Sequence, residues 1–239
     1  MSARRTADRS TVEAEDVDLG GRPGLLMRPP GARSLYVLAH GAGAGMRSEL
    51  LTAVAGALAA QGVATLRWEF PYMAAGKPRP DRAEVAEAAV REVWNAARAQ
   101  FSDLAMFAGG MSFGGRMTSR SHASQPLAAL CGIVFLSFPL HPPDQPGIER
   151  AEHLASAGGP ILFLQGDRDD FAPLRRLRPV VKKLGGRVTL HVVKGADHGF
   201  HVLVRSGRTR ADVIDELAAT VASWITIHAP HGGASGAMC

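Results

Sequence analysis

The residues best suited to chemistry lie in the segment Gly110-Met-Ser-Phe-Gly114, which fits the pattern Gly-x-Ser-x-Gly. An apolar run over residues 104–108 precedes it and predicts a buried strand, and a helix-compatible run begins at Arg116. A sharp turn between a strand and a helix projects the oxygen of Ser112 beside the first amides of the helix, where the helix dipole favours an oxyanion. The segment therefore predicts a nucleophilic serine, although any tight strand-to-helix turn can produce the same pattern.

A serine alcohol needs a base that takes its proton and a carboxylate that orients the base. Candidate acids follow a predicted strand over residues 160–165, at Asp167, Asp169 and Asp170, and a candidate base, His198, follows the last predicted strand. The chain order of serine, acid and histidine suits a triad built on successive strand ends. We favour Asp169, three residues past the glycine that ends its strand, and the other two aspartates remain alternatives.

An oxyanion hole requires two backbone N–H groups aimed at one point. The first is predicted at Phe113, directly after the serine. The second is predicted at Ala42, in the glycine-rich loop over residues 41–46 that follows a continuous apolar strand ending at His40. The same loop is similar to a dinucleotide-binding turn, with Glu69 as a ribose ligand. We disfavour that interpretation because the sixth position of the pattern is Met46 and this is not the first strand pair of the sheet.

Two stiff loops, residues 69–77 and 137–144, are predicted beside the nucleophile and are rich in aromatic residues and proline. With the strand ends, they supply the candidate pocket residues, which are His40, Gly41, Phe70, Tyr72, Met73, Met111, Phe138 and His141. The alternative for the aromatic members is packing on the edge of the sheet. No insertion is long enough for a large lid domain, so we expect a shallow, partly open site.

These residues must be positioned by alternating strands and helices. Predicted strands cover residues 34–40, 63–68, 104–108, 131–137, 160–165 and 187–193, and predicted helices cover 49–61, 81–100 with Asp81 as its cap, 148–157, 173–184 and 209–227. Residues 12–19 and 24–28 are predicted as short strands at an antiparallel edge. This alternation predicts an α/β fold, a doubly wound, mostly parallel sheet with helices on both faces. Ligands of such sheets bind outside the carboxyl ends of the strands.

Length and composition limit the remaining possibilities. With 239 residues, the chain is predicted to form a single domain over residues 12–228, between a mobile segment 1–11 and a loose tail 229–239. The formal net charge is +5, but its arginines are dispersed and no basic stripe with interleaved aromatics predicts nucleic-acid binding. The chain also has no run of membrane-spanning length and no apolar signal core, so we expect a cytoplasmic protein that does not bind membranes.

Several motifs resemble those of a known family. The matching segments include Leu38-Ala-His-Gly-Ala-Gly-Ala-Gly, Arg67-Trp-Glu-Phe-Pro-Tyr-Met, Gly109-Gly-Met-Ser-Phe-Gly-Gly-Arg-Met, Gln165-Gly-Asp-Arg-Asp and Asp197-His-Gly-Phe. The chain resembles small α/β-hydrolases of the dienelactone-hydrolase-like clan. Within that clan it is similar to the group that contains testis-expressed hydrolase-like proteins and the hydrolase-like part of a histone-acetyltransferase complex subunit.

The resemblance implies Ser112 as nucleophile, Asp169 as acid and His198 as base. The lysine that usually precedes the serine in this group is Met111 here, and the methionine that usually follows it is Phe113. Together with the residues, it predicts a serine hydrolase that cleaves small carboxylic esters or thioesters through an acyl-enzyme, without a metal or organic cofactor. The alternative is a catalytically silent hydrolase-like domain that binds a partner. The oligomeric state is not predicted.

Overall fold

The computed structural model describes residues 12–230. The predicted mobile segment 1–11 lies outside the described residues, as does most of the predicted tail, residues 231–239.

Within residues 12–230, eight strands form one sheet, and the prediction of a doubly wound, mostly parallel sheet is confirmed. The strands are β1 (Glu15–Asp18), β2 (Pro23–Met27), β3 (Ser34–Ala39), β4 (Ala64–Trp68), β5 (Ala105–Met111), β6 (Leu130–Leu136), β7 (Ile161–Gly166) and β8 (Val188–Val193). Their order across the sheet is β1-β2-β4-β3-β5-β6-β7-β8. β1 and β2 pair antiparallel, as does β2 with β4, and every pair from β4 through β8 is parallel.

Helices cover both faces of the sheet. They are α1 (Glu49–Ala60), α2 (Pro71–Ala74), α3 (Ala83–Gln100), α4 (Phe113–Ser124), α5 (Leu174–Leu184) and α6 (Arg210–His228), with 3-10 turns at Glu149–Ala155 and Val204–Ser206. Alternate residues of a strand point to opposite faces. In β3, Leu35 and Val37 therefore pack in the cluster that contains α3, whereas Tyr36 and Leu38 pack with α1 and α6.

The start of α3 differs from the sequence-based expectation. Asp81 does not cap this helix, whose N-cap residue is Arg82 and makes no side-chain capping bond. Instead, Asp81 Oδ2 accepts the backbone N–H of Tyr72 at 2.9 Å, at the first turn of α2. The carboxylate thus satisfies a first-turn amide of a short helix that the sequence pattern did not predict.

The topology brings the predicted functional segments to one edge. Ser112 follows β5 directly, and His40 follows β3. Asp169 lies in the loop after β7, and His198 in the loop after β8. Because these strands are parallel, their carboxyl ends meet at the same edge of the sheet. Among residues 12–230, no helix combines the length and apolar character needed to cross a membrane.

Candidate active site

Ser112 is held in a strained backbone conformation. It lies between the last residue of β5 and the first residue of α4, with φ 49° and ψ −110°. Non-glycine residues rarely adopt positive φ, and such strain persists only where the surroundings enforce it. The surroundings here are a strand on one side and a helix on the other, and the Ser112 N–H also donates to Leu136 O at 3.0 Å. The turn therefore presents the hydroxyl at the edge of the sheet.

The two glycines that flank Ser112 in the motif are required for steric reasons. A Cβ atom on Gly110, at φ 147°, would lie 2.1 Å from the carbonyl oxygen of Ala39 in β3. A Cβ atom on Gly114 would lie 2.5 Å from the carbonyl oxygen of His40. Both distances are far below van der Waals contact, so the turn can approach the end of β3 only with glycine at these positions.

Ser112, His198 and Asp169 form a continuous hydrogen-bonded chain. The Ser112 Oγ lies 2.8 Å from His198 Nε2, and His198 Nδ1 lies 2.7 Å from Asp169 Oδ2. An ionised carboxylate only accepts hydrogen bonds, so Nδ1 carries the proton toward Asp169. Nε2 is then free to accept the hydroxyl proton of Ser112, which is the arrangement that general-base activation of a serine requires.

The structure discriminates among the three candidate acids. Asp169 is buried, and its Oδ1 accepts the N–H of Phe171 at 2.8 Å while its Oδ2 also accepts from the side-chain amide of Gln165. Asp167 instead points to another loop, where its Oδ1 accepts the N–H of Gly195 at 2.7 Å. Asp170 is exposed. Only Asp169 of the three therefore contacts the imidazole.

His198 is also supported by its own loop. The Phe171 ring lies against its imidazole, with ring centroids 4.6 Å apart. Asp197 does not reach the site, because its Oδ1 accepts the backbone N–H groups of Gly199 and His201 at 2.9 and 2.8 Å. Asp197 thus shapes the turn that carries His198.

Hydrogen bonds of two buried side chains hold the glycine-rich loop after β3 in place. The buried His40 is a neutral imidazole whose Nδ1 donates to Gly41 O at 2.8 Å and whose Nε2 accepts the N–H of Phe70 at 3.1 Å. Burial lowers the pKa of His40, which agrees with the neutral form. The hydroxyl of Tyr72 accepts the N–H of Gly43 at 3.0 Å. These bonds hold the loop against the end of the sheet.

Glu69, the ribose ligand of the disfavoured dinucleotide interpretation, also supports this loop. Its Oε1 accepts the N–H of Met46 at 3.3 Å. The same oxygen would lie 3.1 Å from a Cβ atom on Gly45. The carboxylate is therefore used to hold the loop and does not face a nucleotide site.

A cavity of about 610 Å³ opens beside the serine. Ala42 and Phe113, the predicted oxyanion-hole residues, line it together with Ser112 and His198. Phe113 is the first residue of α4, where helix geometry leaves the backbone N–H without an intrahelical partner. The cavity thus brings together the nucleophile, the base and both predicted oxyanion donors.

Only two of the eight predicted pocket residues, Gly41 and Met111, line this cavity. The other six lie elsewhere. His40, Phe70, Tyr72 and Phe138 are fully or nearly fully buried, and Met73 packs against the core cluster that contains Phe70 and Tyr72. His141 borders a separate cavity of about 420 Å³ behind Asp169. These aromatic side chains pack on the sheet edge and each other, which was the alternative to lining the pocket.

Most of the residues that line this cavity were not predicted from the sequence. The missed residues include Leu50 and Leu51 of α1, Asp81, Arg116, Pro139, Pro143, Arg150 and Phe171. One of them had a usable signal, since Arg116 follows Ser112 by one helical turn and must share its face of α4. The remainder come from distant segments that only the fold brings together. Across the residues that the structure describes, no cluster of three or more His, Cys, Asp or Glu side chains could hold a metal ion.

Fold and site together define an α/β-hydrolase, and comparison with known proteins agrees. The family model of the alpha/beta hydrolase domain matches residues 32–226, and the chain belongs to this family.

Solved structures with the same fold include a dienelactone hydrolase from Anabaena variabilis, at 19% identity and a TM-score of 0.71, covering 90% of this chain and 97% of that one. Another is an α/β serine hydrolase without a lid from Xanthomonas campestris, at 18% identity and a TM-score of 0.65, covering 92% and 97%. A third is an esterase domain from Rhodothermus marinus, at 13% identity and a TM-score of 0.66, covering 90% and 98%. At these identities the likeness shows the fold, in agreement with the predicted resemblance to the dienelactone-hydrolase-like clan.

Proposed function

We propose that this protein is a serine hydrolase that cleaves small carboxylic esters or thioesters through an acyl-enzyme. The observation that carries the proposal is the hydrogen-bonded chain from Ser112 Oγ through His198 to the buried Asp169. We also propose, from the resemblance of the motifs quoted above, that within the α/β-hydrolases it is related to the testis-expressed and histone-acetyltransferase-subunit group.

In the proposed reaction, Ser112 Oγ attacks the carbonyl carbon of the substrate while His198 Nε2 takes the hydroxyl proton. Asp169 stabilises the imidazolium that forms. The developing oxyanion is bound by the backbone N–H groups of Phe113 and Ala42. The alcohol or thiol then leaves with the proton from His198. A water molecule, deprotonated by His198, finally hydrolyses the acyl-enzyme and regenerates Ser112.

Ester-like substrates of small size suit the cavity. Its volume of about 610 Å³ is within the range of small-molecule sites, and apolar residues such as Leu50, Leu51 and Met111 form part of its wall. The names of two structural neighbours, a dienelactone hydrolase and an esterase domain, are consistent with cleavage of an ester bond.

The test is covalent labelling by a fluorophosphonate probe, which reacts with activated serines. We expect rapid labelling of the wild type and none of Ser112→Ala or His198→Ala. Two matched controls separate the site from general damage. Ser102→Ala removes an exposed hydroxyl at the opposite end of β5, and His201→Ala removes an exposed imidazole from the loop of the base. Both controls are expected to label as the wild type does.

A folded wild type that remains unlabelled, and that hydrolyses neither 4-nitrophenyl acetate nor a short acyl thioester, would refute the proposal. That result would favour the silent hydrolase-like domain, and partner-binding assays would follow. Labelling that persists in Ser112→Ala would refute the assignment of the nucleophile.

A further inference from the structure

A positively charged side chain borders the cavity one helical turn after the proposed nucleophile. The backbone N–H of Arg116 donates to Ser112 O at 3.0 Å, in the first turn of α4. Side chains of a helix lean toward its N-terminus, so the Arg116 side chain leans toward Ser112. It lines the same cavity as Ser112 and His198.

Within residues 12–230, the guanidinium of Arg116 has no anionic partner. Its Nε is buried without a hydrogen-bond partner, and among residues 12–230 no carboxylate lies within ion-pair distance of it. Its carbon Cζ lies 5.9 Å from the centroid of the Phe113 ring. Burial, followed by the positive charges of Arg150 and Arg120, lowers the pKa of Arg116 to about 10, so the group is still charged at neutral pH.

Arg150, in the 3-10 turn Glu149–Ala155, lines the same cavity. One of its terminal nitrogens donates to the carbonyl oxygen of His141 at 2.9 Å. In the described part of the chain Arg150 forms no ion pair. The nearby carboxylate of Glu87 is already paired with Arg120 at 2.6 Å. The carboxylate of Asp81 also lines the cavity and accepts the N–H of Tyr72 at 2.9 Å, but among residues 12–230 it forms no ion pair with either arginine. Two partly buried arginines thus line the cavity, and in the part of the chain that the structure describes no carboxylate lies within ion-pair distance of either.

We propose that Arg116 and Arg150 bind the carboxylate of the substrate, so that the preferred ester carries a negative charge beyond its scissile bond. A guanidinium presents a planar fork of donors that matches a carboxylate, and charge-assisted hydrogen bonds are the strongest of their kind. An anion here would also reduce the electrostatic repulsion between Arg116 and Arg150. This inference rests on the proposed hydrolase function, because it names the substrate class of that site.

The first experiment measures binding without catalysis. Ser112→Ala protein is titrated calorimetrically with monomethyl glutarate, which has both an ester and a carboxylate, and with the neutral dimethyl glutarate. We expect the monoester to bind more tightly, and Arg116→Gln added to Ser112→Ala to weaken its binding about tenfold to one-hundredfold. The matched control is Arg178→Gln, which removes the same charge from an exposed position on α5. It is expected to change the affinity less than twofold.

The second experiment measures selectivity during turnover. We expect wild-type kcat/KM to be higher for mono-4-nitrophenyl glutarate than for 4-nitrophenyl butyrate, and Arg116→Gln to reduce that ratio about tenfold to one-hundredfold. Arg116→Lys keeps the charge but loses the fork, so it should retain part of the preference. A parallel assay with 4-carboxyphenyl acetate, whose carboxylate is on the leaving group, decides which side of the ester the arginines contact.

Equal losses for charged and neutral esters in Arg116→Gln would overturn the inference, since they would mean that Arg116 only packs on Phe113. Equal binding of the monoester and the diester would overturn it as well. Failure of the hydrolase proposal has a different signature. In that case wild type is unlabelled by fluorophosphonate and turns over no ester, while the calorimetric comparison still decides whether the arginines bind a carboxylate.

Discussion

Replacement of Gly110 by alanine should destabilise the protein more than most single substitutions do. The residue has φ 147°, a conformation that side chains rarely adopt, and its Cβ would lie 2.1 Å from the Ala39 carbonyl oxygen. Holding a side chain in such a backbone region costs about 1–3 kcal/mol. Forcing an added carbon into a packed interior costs a further ~1–3 kcal/mol. We therefore expect Gly110→Ala to lower the free energy of unfolding by about 2–6 kcal/mol.

The measurement is urea unfolding followed by far-ultraviolet circular dichroism, with thermal unfolding as a second readout. At about 2–4 °C per kcal/mol for a chain of this size, the melting temperature should fall by roughly 5–20 °C. The matched control is Gly56→Ala in α1, where an added Cβ meets no atom within 4 Å and φ is not positive. Because alanine is the better helix former, Gly56→Ala should raise stability by about 0.5–1 kcal/mol.

The two glycines thus receive the same chemical change with opposite expected signs. The steric account of the Ser112 turn would be refuted if Gly110→Ala stayed within about 1 kcal/mol of the wild type. Where Gly110→Ala still folds, β5 must move away from β3, which displaces Ser112. Misplacement by 1 Å is enough to lower the rate about one-hundredfold. A variant that is destabilised but fully active would show that the turn relaxes without disturbing the serine.

Three further predictions follow from other contacts. Asp169→Asn should lower kcat/KM about 10⁴-fold with little loss of fold, because the amide no longer enforces the tautomer of the base; unchanged esterase activity would exclude Asp169 as the acid. Burial lowers the pKa of His153 to about 4 in the folded protein, below its value near 6.5 in the unfolded chain. The neutral imidazole therefore makes its full contribution to stability above pH 6.5, and this contribution is lost as the pH falls toward 4. Wild type should therefore lose about 1–3 kcal/mol more than His153→Gln between pH 7 and pH 4 in urea unfolding, and parallel curves would contradict this sign. Tyr72→Phe removes the acceptor of the Gly43 N–H and should cost about 1 kcal/mol together with a several-fold drop in kcat, whereas a loop fixed by other contacts would leave both unchanged.

The candidate catalytic motifs and their order could be predicted from the sequence because each motif is a short, local pattern. The pattern Gly110–Gly114 needs only its flanking strand and helix, and the glycines are explained by the close approach of β3 in the structure. Alternating strands and helices dictate a parallel sheet, and a parallel sheet gathers its carboxyl-end loops at one edge. For that reason the sequence alone predicted that the loops of Ser112, Asp169 and His198 would meet.

The residues that line the pocket could not be predicted in the same way. Phe70 and Phe138 stand in loops at the correct edge, yet both turn inward and are buried among other aromatic rings. Whether an aromatic side chain faces a cavity or the core depends on which neighbours lie within reach, and those neighbours come from distant parts of the chain. The same applies to Asp81, whose sequence position suggested a helix cap.

The sequence by itself determined the fold class, the chain order of the proposed triad and the turn that exposes Ser112, since these depend on short-range patterns and on strand direction. Only the tertiary structure decided which of three neighbouring aspartates reaches His198. Adjacent side chains of that loop point in different directions, so the loop conformation selects the carboxylate that faces the imidazole. The tertiary structure also decided that Arg116 and Arg150, 34 positions apart in the sequence, line one cavity and form no ion pair with any of the described residues. Contacts between such distant residues depend on tertiary packing, and no local sequence pattern predicts them.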